Sequence, residues 1–333
     1  VDKAMNYDVG MRASADWDSR PVFDPAVVRR EMEIIKGDLG CAAVRIFGED
    51  PDRLRIAAES ALEAGLRVWF SPDLFNAGER QWLEYLARCA DVARGLDSPD
   101  VVFVVGRELT FFMHGLVRGA DGFARMKTFS SISRLLLNTA LKGPWNRNLN
   151  RFLAKATAVV RERFDGPVTY ASGVWEQVDW SGFDFVAVDL YRDAPNEAAF
   201  ADKVCPYLGH GKPMVVSEFG CCTYRGAAGK GATGWAIVDR EAVPPALKGE
   251  YVRDEAEQAA YLTESMDVYA AQGVESAFVF TFASYSYPHD LDLAAYGIVR
   301  VLREGTGETY PDLPWEPKEA FHAVAAWSAT ATA

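Results

Sequence analysis

The chain has 333 residues, 49% hydrophobic and 12% aromatic, with a formal charge of −12, a field that repels phosphate backbones and acidic membrane surfaces. No apolar run approaches the roughly 18 residues of a membrane helix, so neither nucleic acid nor membrane is an expected partner. The length exceeds one ordinary domain, yet fits a single α/β barrel, which with insertions runs from about 200 to over 400 residues.

Five cysteines (Cys41, Cys89, Cys205, Cys221, Cys222) show no CxxC spacing and no disulfide-scaffold density. With an opening segment, VDKAMNYDVG, that lacks a signal-peptide apolar core, they predict reduced thiols and a cytoplasmic location.

Short apolar runs alternate with stretches of helical periodicity, the pattern of βα units and a parallel sheet. The first strand is predicted at 4–9 (AMNYDV), followed by a helix over 25–39 with Asp24 as N-cap, Pro25 at its first position and Gly40 beyond its end. The second strand, 41–47 (CAAVRIF), carries Arg45 inside an apolar run, and a buried arginine needs a partner. A helix over 52–64, a strand at 66–70 (LRVWF) and a helix over 80–94 come next. The fourth strand, 101–105, leads into Gly106, Arg107 and Glu108.

Residues 110–148 are too many for a plain βα connection and read as an excursion over the barrel mouth. A helix over 149–164 and a fifth strand at 167–171 follow, with Trp175 soon after. The sixth strand, 183–190, comes so quickly that its preceding helix must be short or degenerate. A helix over 196–208 precedes the seventh strand, KPMVVSEFG at 212–220, which delivers Glu218. Residues 221–252 form a second excursion, whose glycine-rich part (RGAAGKGATG) has the composition of a mobile lid. A helix over 253–272, the eighth strand at 276–282 and a last helix over 318–327 complete a single (β/α)8 TIM barrel covering 1–333.

In such a barrel the active site lies at the C-terminal strand ends. The residues gathered there are Tyr7, Asp8, Arg45, Glu49, Asp73, Arg107, Glu108, Trp175, Glu176, Asp189, Tyr191, Glu218, Phe282, Tyr285, Tyr287, His289 and Asp290. Carboxylates, aromatics and arginines without a lysine suit an uncharged, hydroxyl-rich ligand that passes through an oxocarbenium-like transition state. They offer no amine for Schiff-base chemistry. His114, His289 and Asp290 lack metal-ligand spacing, so neither metal nor cofactor is expected. The vicinal Cys221 and Cys222 read as buried small residues, since no histidine is placed to activate them.

Glu108 in VVGREL and Glu218 in VVSEFG, ending the fourth and seventh strands, resemble clan A of the glycoside hydrolases. In that clan the fourth-strand glutamate is acid/base and the seventh-strand glutamate is nucleophile. Arg45 in AVRIF resembles the clan's second-strand arginine near the nucleophile, and Tyr191 its sixth-strand aromatic. More narrowly, YDVG, VFVVGREL, EFGCCTYRGA and HDLDLAAYGIV resemble actinobacterial barrel proteins often labelled "abortive infection protein"; no residue here gives a physical argument for an antiphage role. Two positions depart from the clan. Arg107 replaces the asparagine that precedes the acid/base and binds the sugar 2-hydroxyl, and the eighth-strand tryptophan is absent, with Phe282 and Tyr285 as nearest candidates.

The resemblance implies a retaining glycosidase or transglycosidase that cleaves a small glycoside by double displacement, with Glu108 and Glu218 catalytic and their carboxyl groups about 5 to 5.5 Å apart. Tyr7, Arg45, Arg107, Trp175, Asp189, Tyr191, Phe282, Tyr285, His289 and Asp290 would bind substrate. A non-catalytic carbohydrate-binding barrel, or a carboxylate-pair enzyme on a nonsugar metabolite, are the alternatives. Sugar, linkage and oligomeric state are not legible in the sequence.

Overall fold

The computed structural model describes residues 1–14, 17–287 and 289–328. Eight parallel strands close a barrel in chain order: β1 (Asp2–Asp8), β2 (Ala43–Gly48), β3 (Arg67–Pro72), β4 (Val101–Arg107), β5 (Val168–Gly173), β6 (Val186–Asp189), β7 (Met214–Phe219) and β8 (Ser276–Val279). β8 pairs back onto β1. The alternation of apolar runs and helices thus resolves into the predicted (β/α)8 barrel.

The connecting helices are α1 (Pro25–Gly37), α2 (Pro51–Glu63), α3 (Glu79–Gly95), α4 (Gly122–Phe129), α5 (Ile132–Lys142), α6 (Trp145–Arg161), α7 (Phe200–Leu208), α8 (Glu255–Ala271) and α9 (Glu319–Ala326). Proline occupies the first position of α1 and α2. Behind it, the Asp24 carboxylate accepts from the Ala26 amide, and that of Asp50 from the Asp52 and Arg53 amides. Between β5 and β6 only the turn Trp180–Gly182 is helical, in keeping with the short spacing there.

Strand alternation divides the core in two. Ala4, Ala43, Trp69, Val102, Val104, Ala171, Ala187, Val215 and Phe278 pack together inside the barrel, while their sequence neighbours pack against the helices. The alanines leave room for Trp69, whose ring lies 5.0 Å from Phe278 and 5.1 Å from Phe185. Trp69 and Phe278 fill the barrel floor, so the inward positions one step further along the strands form the floor of the mouth.

The first excursion folds as α4 and α5, and α6 starts earlier than predicted, at Trp145. The second differs from the mobile lid its glycines predict. Gly231 has φ +50° and a Cβ there would lie 2.8 Å from the Arg192 carbonyl, and at Gly234 one would lie 2.8 Å from Cys222 Sγ. Those glycines permit close approach. The Tyr296 hydroxyl fastens the loop, donating to the Gly231 carbonyl at 2.6 Å and accepting from the Gly234 amide at 2.9 Å. The two excursions also meet: Phe123 and Trp235 are 5.5 Å apart, and the Arg240 guanidinium lies 4.8 Å and 5.1 Å from their centroids. Arg240 also donates to the Tyr287 hydroxyl at 2.5 Å.

Candidate active site

Both central glutamates sit where a strand loses its alternation. In β4, Val102 and Val104 point inward, and the register with β5 slips between Val104 and Arg107. Gly106 takes φ +127° in this bulge, which turns Arg107 into the barrel. Glu108 then adopts a left-handed conformation (φ 39°, ψ 43°) and heads a single helical turn, Leu109–Phe112. Its amide donates to the Ala171 carbonyl at 3.0 Å, and its carbonyl accepts from the Phe111 amide at 2.8 Å. A non-glycine residue at positive φ costs about 1–3 kcal/mol and persists where its surroundings fix it. In β7 the inward Val215 and Ser217 are followed by Glu218, which pairs with Asp189 after a register shift against β6.

Glu218 is 4% exposed. Its Oε1 accepts from Arg45 Nη1 at 2.9 Å and from Arg107 Nη1 at 3.3 Å. Its Oε2 faces the Tyr191 hydroxyl at 3.4 Å. Arg45 is fully buried and held by the Asn6 Oδ1 and Ser71 Oγ acceptors, while Asn6 donates to the Ser217 carbonyl at 2.9 Å. Arg107 donates through Nε to Asp73 Oδ2 at 2.6 Å. Phe47, Phe75 and Phe112 lie within 5.8 Å of its guanidinium carbon. Burial works against that charge, yet Asp73 and Glu218 outweigh it and strengthen the guanidinium's hold on its proton.

Glu108 has the opposite environment. No described residue donates a hydrogen bond to its carboxyl. Burial pushes its pKa well above the usual glutamate range, the charges of Asp189 and Glu218 push it further, and Arg107 only partly opposes them. Asp189 is raised in the same way, by burial and then by Glu218, against Arg45 and the Ser217 hydroxyl that donates to it at 2.7 Å. Asp8, inward at the end of β1, is pushed up to about 6 by burial, against its bonds from Ser19 and Gly10.

Behind Glu108 lies a further buried carboxylate. Glu176 is buried and accepts from the Thr110 amide and hydroxyl, the Tyr170 hydroxyl and the Gly173 amide. Tyr170 in turn accepts from the Leu109 amide at 2.8 Å. This network clamps the turn that carries Glu108 onto the end of β5.

Of the residues read from sequence, Arg45, Arg107, Glu108, Asp189, Tyr191 and Glu218 converge. Tyr7, Phe282 and Tyr285 do not, and their assignment as substrate contacts is corrected. Tyr7 alternates with the inward Asn6 and Asp8 and so faces α1. There its hydroxyl and that of Tyr285 donate to the buried Glu31, which also holds Arg20 at 2.9 Å and the Trp315 indole at 2.8 Å. Phe282 is fully buried, 5.3 Å from the Trp315 ring and 6.2 Å from Tyr7. The eighth strand ends at Val279, so Phe280 rather than Phe282 reaches the mouth, stacked 5.9 Å over Phe47.

Trp175 packs on Phe111 at 4.3 Å and donates to Thr110, in the wall between β4 and β5. The side chains of His289 and Asp290 lie outside the described residues. His114 contacts Arg125 at 3.4 Å in the first excursion. Cys221 and Cys222 are buried and free, and burial raises both thiols. Sequence reasoning passed over Asn6, Ser217 and Phe280; strand parity counted from inward neighbours would have found Asn6 and Phe280.

No protein-family model matches the sequence. No curated protein matches it either. Solved structures do match over nearly the whole chain. A GH113 β-1,4-mannanase superposes with a TM-score of 0.62 at 14% identity, covering 98% of this chain and 97% of that one. The GH113 β-mannanase AaManA from Alicyclobacillus acidocaldarius gives 0.55 at 17% identity, covering 97% and 95%. A fungal β-1,4-galactanase gives 0.56 at 13% identity, covering 98% and 99%.

The fold is the (β/α)8 barrel of these mannanase and galactanase structures.

In this barrel the two glutamates occupy unlike electrostatic settings at one mouth. A carboxyl that burial and neighbouring anions keep protonated can donate a proton, whereas a carboxylate gripped by two guanidiniums at one oxygen can present the other to an electrophile.

Proposed function

We propose that the protein is a retaining glycoside hydrolase, or transglycosidase, acting on a small glycoside. The observation that carries this reading is the contrast between Glu108, whose carboxyl has no hydrogen-bond partner among the described residues and is raised by burial, and Glu218, ion-paired to Arg45 and Arg107 through Oε1 alone. Glu218 Oε2 attacks the anomeric carbon while Glu108 protonates the departing glycosidic oxygen. In the second step Glu108 takes a proton from water, or from an acceptor hydroxyl, which then displaces Glu218. The resident charges of Arg45 and Arg107 set the orientation of Glu218 through both half-reactions. Short substrates fit the meeting of the two excursions at Phe123, Trp235 and Arg240.

The deciding experiment incubates the protein with a panel of activated 2-deoxy-2-fluoro glycosides and maps the modified peptide by mass spectrometry. A label on Glu218, with retention of anomeric configuration seen by NMR for the parent substrate, supports the reading. Ligand binding without turnover or labelling assigns a carbohydrate-binding barrel, and inversion of configuration overturns double displacement.

A further inference from the structure

The net charge of −12 hides a strongly uneven distribution. From Gly122 to Arg161 the chain contains Arg125, Lys127, Arg134, Lys142, Arg147, Arg151, Lys155 and Arg161, and neither aspartate nor glutamate. Arg125 is buried, and Lys155 and Arg161 are paired with Glu79 and Asp184. Arg134, Lys142 and Arg151 bond instead to the Lys127 carbonyl, the Gly115 carbonyl and the Asn148 side chain, which leaves their charge unneutralised.

The same stretch carries five of the nine large exposed apolar side chains among the described residues. Helix α5 presents Ile132 (79% exposed), Leu136 (67%), Leu137 (50%) and Leu141 (63%) to solvent, and Phe123 stands exposed on α4. Elsewhere the large exposed apolar side chains are the scattered Val22, Val174, Val243 and Val252. Single exposed apolar residues are ordinary, but an apolar helix face amid cations is not. The face is anchored from beneath by Asn138, which accepts from the Arg118 amide at 2.9 Å, so the helix displays its leucines while tied to the start of the insertion.

We propose that α5 and its flanking cations dock the protein on an anionic lipid surface. Such a surface offers both complements at once, a layer of negative headgroups over an apolar interior, and a short amphipathic helix with basic flanks binds in the boundary between them. No described helix is long and apolar enough to cross a membrane; the contact is peripheral. A second copy of the chain fits less well. Pairing α5 with itself would oppose Arg134 and Lys142 to their own copies, and none of the scattered valines provides a matching patch. The acidic remainder of the chain resists other orientations.

The test is sedimentation of the full chain with vesicles of phosphatidylcholine alone and of phosphatidylcholine mixed with phosphatidylglycerol, at low and high salt. Binding selective for the mixed vesicles and weakened by salt is expected. Leu136→Glu with Leu141→Glu should reduce it about tenfold or more, and Arg134→Gln with Lys142→Gln by about fivefold per charge. The thermal midpoint of each variant, and where the glycosidase reading holds its turnover of a soluble aryl glycoside, should stay unchanged. The glutamine pair keeps the test valid if the glutamate pair misfolds. Equal binding to neutral vesicles, or none to either, overturns the proposal. So does a concentration-dependent dimer that the leucine variants dissociate, which would give the face to a second copy.

Discussion

Arg107 and Asp73 form a buried ion pair, Nε to Oδ2 at 2.6 Å, with both side chains at most 7% exposed. With Nη1 on Glu218 and Nη2 against Met11 Sδ at 3.2 Å, the donors of Arg107 are directed at the protein. It stands where the clan resemblance implies an asparagine on the sugar 2-hydroxyl, yet its bonds are those of a residue that positions Glu218.

Breaking that pair from one side should be costly. Asp73→Ala leaves the Arg107 charge buried with Glu218 alone and is expected to lower stability by about 3–5 kcal/mol, whereas Asp73→Leu with Arg107→Met should lose far less. Urea unfolding of the three proteins distinguishes them. Similar losses for both variants would show that packing, not charge, dominates here.

The two glutamates should fail differently. Glu218→Ala is expected to abolish turnover of any cleaved glycoside, with partial rescue by azide and a glycosyl azide of inverted configuration. Glu108→Ala should lose about 10²–10⁴-fold on substrates with poor leaving groups, far less on activated aryl glycosides, and be rescued by azide with retained configuration. Identical behaviour of the two variants would contradict the assigned roles.

The alkaline limit of activity should belong to Glu108. In the proposed double displacement its proton is needed in the first step, and its raised pKa keeps it protonated to higher pH than an ordinary glutamate, so kcat/KM should fall as pH rises through that pKa. Asp189 is the largest charge contribution to the rise. Asp189→Asn should therefore move the alkaline limb to lower pH, since the raised acid loses a neighbouring negative charge. A pH–rate profile on one substrate tests it; an unmoved limb would detach Asp189 from Glu108.

Asp8 gives a stability prediction with a defined window. Its pKa rises from 3.8 unfolded to about 6 folded, so the folded state binds more protons between those values. The stabilisation is fully present below about pH 4 and is lost as pH rises through 6. Asp8→Asn keeps an oxygen for the Gly10 amide and the Ser19 hydroxyl. Relative to wild type it should gain up to roughly 3 kcal/mol between pH 4 and 8. Denaturation curves for both proteins across that range measure the difference; a constant gap would show that Asp8 is ionised throughout.

Most of the barrel was legible because buried parallel strands are short apolar runs and the helices carry their own caps, as Asp24 and Pro25 illustrate. Arg45 was legible as a charge inside such a run. Tyr7 and Tyr285 misled because an aromatic near a strand end looks like a sugar platform, while strand parity and a distant acceptor, Glu31, decide where it points. The glycine run of 221–252 misled for a related reason. Glycine marks both freedom and close packing, and only Tyr296, far along the chain, tells which. The bulges that aim Arg107 and Glu218 leave little more trace in the sequence than Gly106.

The left-handed backbone of Glu108 also bears on how readily the chemistry could be switched off. Asparagine and glycine adopt that conformation with the least strain. Exchanging Glu108 for either would remove the acid while leaving the strand end, the Glu176 clamp and the Arg-held Glu218 in place. In a barrel that cleaves as proposed, one codon change there would leave a sugar-holding one, a short route by which such a scaffold could yield a lectin-like receptor, in nature or by design.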